Sequence, residues 1–331
     1  MSVTAKQIAQ QLGLSPAAVS LALNQRPGVS NKTRNLVMQT ARTLGFDFSK
    51  VRAASVASGI IAFVTFNRSG IFGLPFFARM IEGVESELHK AGYRLAMVHV
   101  SASEDLGARL DSIRSAGYTG LLLLATEMSL EDLEPFMAID VPMVLLDTCH
   151  EAGVDRVKIN NRQGMQVAIQ RLERSYGSLP GHLMARSTLS NFRERRDGYL
   201  SSVVRMGGTI GQSIRHELPL TVEQAKRDML DIIDSGKALA NCYVADYDDI
   251  AIGAMEAFSQ RGYRIPEDIG FIGFDNSVGS AYVRPGLTSV NVPSSYMGAI
   301  AARRLLEVTT EDEHHATTIE IGVSLMVRGS C

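Results

Sequence analysis

Seven basic side chains crowd the first 58 residues of this 331-residue chain: Lys6, Arg26, Lys32, Arg34, Arg42, Lys50 and Arg52, against one acid, Asp47. That balance is +6, and because the whole chain carries −2, residues 59–331 carry −8. A small cationic module on an acidic body has the electrostatics to grip a polyanion, and nucleic acid is the expected one. A solvated basic face without function is the bland alternative, and charge alone does not separate the two. Spacings that would support covalent or metal chemistry are missing. His89, His99, His150, His182, His216 and the pair His314-His315 show no ligand spacing such as HExxH, and no GxSxG elbow, P-loop or strand-borne GxGxxG is present. His314-His315, in the acidic stretch Glu311–His315, reads most simply as solvated loop. Cys149, Cys242 and Cys331 are far apart and odd in number, which suggests neither a disulfide framework nor a CxxC site. The chemistry on offer is binding rather than turnover.

Capping and breaking residues divide the basic module into three helices. Thr4 caps a first helix, Ala5 to Leu12, which stops at Gly13. Ser15 caps a second, with Pro16 at its first position, where the missing N–H costs nothing, and it runs through Leu23 to Asn24. Arg26-Pro27-Gly28 breaks it, and Ser30 caps a third helix from Asn31 to Leu44, closed by Gly45. Two short helices around a tight glycine-containing turn, followed by a third, make a helix-turn-helix. Ile8, Ala9, Leu12, Val19, Leu23, Val37, Ala41 and Leu44 recur at helical spacing and form its small core.

Past a linker at about 47–58 the pattern changes to short apolar runs alternating with amphipathic segments. Strands are expected at Ile60–Phe66, Arg94–Val100, Gly120–Ala125, Pro142–Asp147, Val154–Asn160, Gly181–Arg186, Asn241–Ala245 and Ile269–Phe274. Helices are expected at Phe76–Lys90, Gln163–Arg174, Glu223–Ser235 and Asp249–Arg261. This alternation marks βαβ units and parallel sheets, and about 270 residues of it favours two α/β lobes over one sheet. Ligands of open α/β sheets bind beyond the carboxyl ends of the strands, so two facing lobes place a cleft there. No internal repeat is visible. A hydrophobic share of 45% with 21% charge is ordinary for a globular protein. No apolar run approaches the roughly 18–20 residues of a membrane span, and the opening residues lack a signal peptide's pattern. The expected setting is cytoplasmic.

Taken in order, these segments resemble the lactose-repressor (LacI/GalR) family over nearly the whole chain. The head carries Val3-Thr4-Ala5-Lys6-Gln7-Ile8-Ala9, Gly13-Leu14-Ser15, Val19-Ser20, Leu23-Asn24, Pro27-Gly28-Val29-Ser30, Thr33-Arg34 and Leu44-Gly45-Phe46. The body adds Pro75-Phe76-Phe77, Ile81-Glu82-Gly83, Val141-Pro142, Leu146-Asp147 and Arg195-Arg196-Asp197-Gly198-Tyr199. Next come Asp248-Asp249-Ile250-Ala251-Ile252-Gly253-Ala254, Gly273-Phe274-Asp275-Asn276, Pro285-Gly286-Leu287-Thr288-Ser289-Val290 and Met297-Gly298. The resemblance implies an all-α helix-turn-helix head at 1–46, a hinge at 47–58 and a two-lobed, periplasmic-binding-protein-like (type I) α/β core at 59–331. Its N-lobe would take about 59–161 and 292–318, and its C-lobe about 162–291 and 319–331.

The same resemblance assigns roles. Pro16, Ala17 and Leu21 would face DNA bases, with Ser15, Ser20 and Asn24 nearer the backbone. Thr4, Ser15, Ser30, Asn31, Thr33 and Arg34 would meet phosphates, several through helix N-termini. The position often held by a long polar reader is Leu21, so direct readout is expected to be thin and phosphates to carry more of the affinity. The hinge departs further: Phe48-Ser49 replaces the usual Pro-Asn, and Ser55 stands at the position of the minor-groove wedge, with Ala53 and Val56 beside it. A weak or absent kink is expected.

For the effector, Arg195 and Asp275 are the implied contacts, on opposite walls of the C-lobe side, with Asp147 a third. A salt bridge between the first two, and a helix cap for Asp147, are the structural alternatives. Tyr247, where many relatives carry Asn, would stack on the ligand or plug the pocket. Phe72 and Leu74, in a loop replacing the usual Asp-x-x-Asn segment, would form an apolar lid or pack into the core. A carbohydrate is the first expectation and a nucleobase or nucleoside the second; no cofactor or metal is implied. The helix Phe76–Lys90 and the segment Val278–Arg284 would line a homodimer, whose two heads imply a pseudo-palindromic operator. With no leucine-heptad extension after Val327, a dimer is expected over a tetramer. An enzyme and a secreted solute-binding protein are the rival classes.

Overall fold

Helix α1 (Ala5–Leu12) begins at a reciprocal cap: the Thr4 hydroxyl accepts the Gln7 amide, and the Gln7 side chain accepts the Thr4 amide. This computed structural model describes residues 3–23, 29–46, 59–68, 75–310 and 314–331. Asn24, Ala53, Val56, Phe72, Leu74 and the rest of the hinge lie outside the described residues. Ser15 Oγ accepts the Ala18 N–H at 3.1 Å to open α2 (Pro16–Leu23), and Ser30 Oγ accepts the Thr33 N–H at 3.1 Å to open α3 (Asn31–Thr43). Ile8, Ala9, Val19, Ala22, Leu23, Val37 and Ala41 bury together, with Leu12 and Leu44 at the rim. The caps place each helix start, and that core holds the three helices to one another.

Among the described residues the body holds two six-stranded sheets. The first runs β2-β1-β3-β4-β5-β11, from β1 (Ile60–Asn67), β2 (Arg94–Ser101), β3 (Gly120–Leu124), β4 (Met143–Leu146), β5 (Asp155–Ile159) and β11 (Thr318–Ile321), all parallel. The second runs β7-β6-β8-β9-β10-β12, from β6 (Gly181–Ala185), β7 (Arg215–Leu218), β8 (Cys242–Ala245), β9 (Gly270–Phe274), β10 (Thr288–Asn291) and β12 (Ser324–Met326); only β12 pairs antiparallel. The two sheets thus share one strand order, a structural repeat that leaves no repeat in sequence.

Around the first sheet lie α4 (Pro75–Ala91), α5 (Leu106–Ser115), α6 (Leu130–Met137) and α12 (Ser294–Val308). The second carries α7 (Asn161–Tyr176), α8 (Ser190–Arg205), α9 (Val222–Asp234), α10 (Asp248–Gln260) and the short α11 (Val278–Tyr282). The chain crosses between lobes after β5, after β10 and after β11. The last crossing lies at Gly322, past the expected division after 318, because Thr318–Ile321 pair with β5. A four-residue edge strand of sequence TIEI has too little apolar content to be seen in advance.

Candidate functional site

Among the described residues other than glycine, only Asp147, Asp275 and Asn276 have left-handed backbone, with φ of 57°, 95° and 50°. All three sit just past the carboxyl ends of β4 and β9, and strained backbone of this kind concentrates at ligand-holding positions. These strand ends face a cavity of about 260 Å³ between the lobes. That is close to the lower end of the roughly 300–1,000 Å³ usual for small-molecule sites. Pro75 and Phe76 of α4 and Thr126 past β3 line it from the first lobe, and Leu189, Phe192, Leu220, Tyr247 and Asp249 from the second.

Arg195, on α8, is 3% exposed and spends its donors inside the protein. Its Nη2 donates to Asp275 Oδ1 at 3.0 Å, its Nε to Asn161 Oδ1 at 2.9 Å, and its Nη1 to the main-chain carbonyl of Asp246. The guanidinium carbon lies 3.7 Å from the centre of the Phe274 ring. Arg195 and Asp275 therefore do not occupy opposite walls. They are paired, because a guanidinium this deeply buried needs a carboxylate beside it. Asp147 is no helix cap either: Thr126 Oγ1 donates to its Oδ2 at 2.7 Å and Asn191 Nδ2 to its Oδ1 at 3.0 Å. Asn161 Nδ2 donates to Asn191 Oδ1 at 3.1 Å. A continuous polar chain thus runs from Thr126 and Asp147 of one lobe, through Asn191 and Asn161, to Arg195 and Asp275 of the other. Tyr247, half-buried at the start of α10, lines the same cavity.

The second surface is the head. Thr4, Ser15, Pro16, Ala17, Ser20 and Ser30 are exposed; Thr33, Arg34 and Leu21 are partly so. The hydroxyl oxygens of Ser15 and Ser30 already accept backbone N–H groups, and Ser30 Oγ also shares a hydrogen bond with Thr33 Oγ1 at 2.9 Å, so the Ser15 hydroxyl proton and the helix N-termini are what this edge offers a phosphate.

Residues 181–331 match a family model described as a periplasmic binding protein-like domain. The HTH-type transcriptional repressor PurR of Actinobacillus pleuropneumoniae is 27% identical over 338 residues, covering 99% of this chain and 98% of that protein. The probable HTH-type transcriptional repressor ExuR of Bacillus subtilis is 28% identical over 344 residues, with the same shares covered. Over nearly its whole length the chain is therefore similar to HTH-type transcriptional repressors. Solved structures agree on the fold: a CelR–cellobiose complex superposes with a TM-score of 0.72 at 24% identity, covering 99% of this chain and all of that one. The lac repressor bound to ONPG gives 0.72 at 20% identity, covering 100% of both chains.

Within the regulator, burial sets the electrostatics of the cleft. It pushes the Asp147 carboxyl up to about 6, helped by the nearby Asp275 charge and opposed by the Thr126 hydrogen bond. It also raises Asp275, against the pull of Arg195, and Asp249, which feels Asp275 as well. Between the ordinary Asp pKa, about 4, and the folded Asp147 value of about 6, the unfolded chain is ionised while the folded one holds its proton. Stability is therefore lost as pH rises through this window, by up to about 3 kcal/mol. Asp147→Asn is expected to flatten that part of the stability curve, read from urea unfolding at pH 4, 5, 6 and 7. An unchanged slope would show that the folded carboxyl titrates normally.

Several residues escaped the sequence reading. Asn191 links the lobes through Asp147, Asn161 ties it to Arg195, and Phe192 lies one helical turn before Arg195 on the same face. Only that i,i+3 spacing was visible beforehand.

Proposed function

We propose that this regulator represses transcription as a cytoplasmic homodimer gripping a pseudo-palindromic operator, and that a small molecule held between its lobes sets the grip. The cavity at the paired strand ends carries this reading, with Asp147 on one lobe hydrogen-bonded to Asn191 on the other. A ligand there contacts both lobes at once, so its affinity depends on how they are juxtaposed. Coupling of about 1–3 kcal/mol suffices for such control. Val278 and Tyr282 of α11 are 52% and 75% exposed, which supports this segment as part of the dimer face. No described helix is long and apolar enough to cross a membrane.

A carbohydrate of one ring is the first effector class. Asp275 and Asp147 offer carboxylate acceptors to hydroxyls, and Phe76, Phe192 and Tyr247 offer ring faces. The CelR structure similar to this chain was solved with cellobiose, and two other regulators with bound ribose. The predominance of aromatic and aliphatic walls favours a nucleobase or nucleoside as the second class. A thermal-shift screen of sugars and nucleosides tests the choice, since a ligand of the native state alone raises its melting temperature. The hit is expected to change operator affinity about 5- to 150-fold. A hit that stabilises the protein but leaves operator affinity unchanged contradicts the proposal.

A further inference from the structure

The face that α2 leaves open holds no side chain with a hydrogen-bonding fork. Val19, Ala22 and Leu23 are buried in the head core, while Pro16, Ala17 and Ser20 are exposed and Leu21 lies half-buried beside them. Ser15, just ahead, already caps the Ala18 N–H. In helix-turn-helix docking the first residues of the second helix meet base edges in the major groove. What this helix brings to that edge is a pyrrolidine ring, a methyl, one hydroxyl and an isobutyl group. Most of the major-groove edge is made of amino donors and carbonyl or ring-nitrogen acceptors, which lose their water partners when covered by hydrocarbon. The thymine C5-methyl is the apolar group there, and it gains from being covered.

Resting on the DNA-binding reading above, we propose that the regulator recognises its operator chiefly through apolar contact of Ala17 and Leu21 with thymine methyl groups. Each half-site then carries thymine where those two side chains face the groove. A protein partner for this face is disfavoured by charge, because residues 3–46 contain Lys6, Arg26, Lys32, Arg34 and Arg42 and no acid. Backbone-directed groups supply the affinity and methyl contacts supply the sequence. The consequence is a protein with little tolerance for methyl loss and an ordinary tolerance for changes outside those positions.

The test starts by selecting duplexes from a randomised pool with the full chain, then remaking the selected operator with deoxyuridine for thymidine. That exchange removes the methyls and keeps base pairing and every hydrogen-bonding edge. Removing one buried methyl is expected to weaken binding about fourfold. Full replacement in both half-sites is expected to exceed tenfold, with the salt dependence unchanged because phosphate contacts remain. Leu21→Ala is expected to shrink the thymidine-to-uridine ratio, and Leu21→Met to retain it. Thymidine and deoxyuridine operators binding within twofold of one another overturn the inference while leaving DNA binding intact. A pool in which nothing is enriched defeats the DNA-binding reading itself, and this inference with it.

Discussion

Arg195→Ala is expected to weaken effector binding roughly tenfold to hundredfold and to destabilise the core by about 3–5 kcal/mol. The second effect follows from what the substitution leaves behind. Asp275 is held by Arg195 at 3.0 Å in a wall where burial already raises its carboxyl, and removing the guanidinium strands it. Asn161 and the Asp246 carbonyl lose their donors at the same stroke. Two companion variants separate binding from folding. Arg195→Lys keeps the charge but loses the planar fork, so it should recover part of the stability and little of the effector response. Asp275→Asn keeps an amide oxygen for the fork but leaves the buried guanidinium without its counter-charge, so urea unfolding should show a loss of stability here as well, now with the fork still in place. Full effector response in Arg195→Lys would show that the fork is structural only.

Gly298→Ala is expected to cost about 3 kcal/mol, at the upper end of overpacking effects. A Cβ at Gly298 would land on the carbonyl oxygen of Met80, and one at Gly83 on the carbonyl oxygen of Ser295. These glycines sit reciprocally on α12 and α4, and both obstacles are backbone, so no side chain can swing aside. The helices must separate, opening the packing around Met80, Val84 and Met297. Gly211→Ala is the control, with nothing near the added methyl. Equal urea midpoints for the Gly298 and Gly211 variants would show that α4 and α12 accommodate the methyl.

The head was legible almost residue by residue because its signals are local. Thr4, Ser15, Ser30, Pro16 and Gly13 each act within four positions of themselves. The strands that went unseen are β7, β10, β11 and β12, three or four residues each, of sequence RHEL, TSVN, TIEI and SLM. Their place is decided by neighbours far away in the chain, and their own composition says little. The shared strand order of the two lobes was invisible for a related reason: a pattern of burial can repeat while the residues filling it do not. In the cleft, family resemblance pointed to Asp147, Arg195 and Asp275, and all three line the cavity. It left open whether Arg195 and Asp275, 80 positions apart, meet the ligand from opposite walls or pair in a salt bridge, and they pair. It also missed Asn161 and Asn191, whose amides join that pair to Asp147. Such pairings belong to tertiary geometry.

One comparison weighs most on the regulator as a whole: retention of the selected operator by the intact chain and by a chain lacking residues 1–58, across a series of salt concentrations, with and without the effector. The intact chain is predicted to release DNA steeply as salt rises. The effector is predicted to shift its retention at fixed salt, and the shortened chain to bind the effector but no operator. Equal retention by both chains, or retention indifferent to salt and effector alike, would contradict a basic head governed by a ligand-filled cleft.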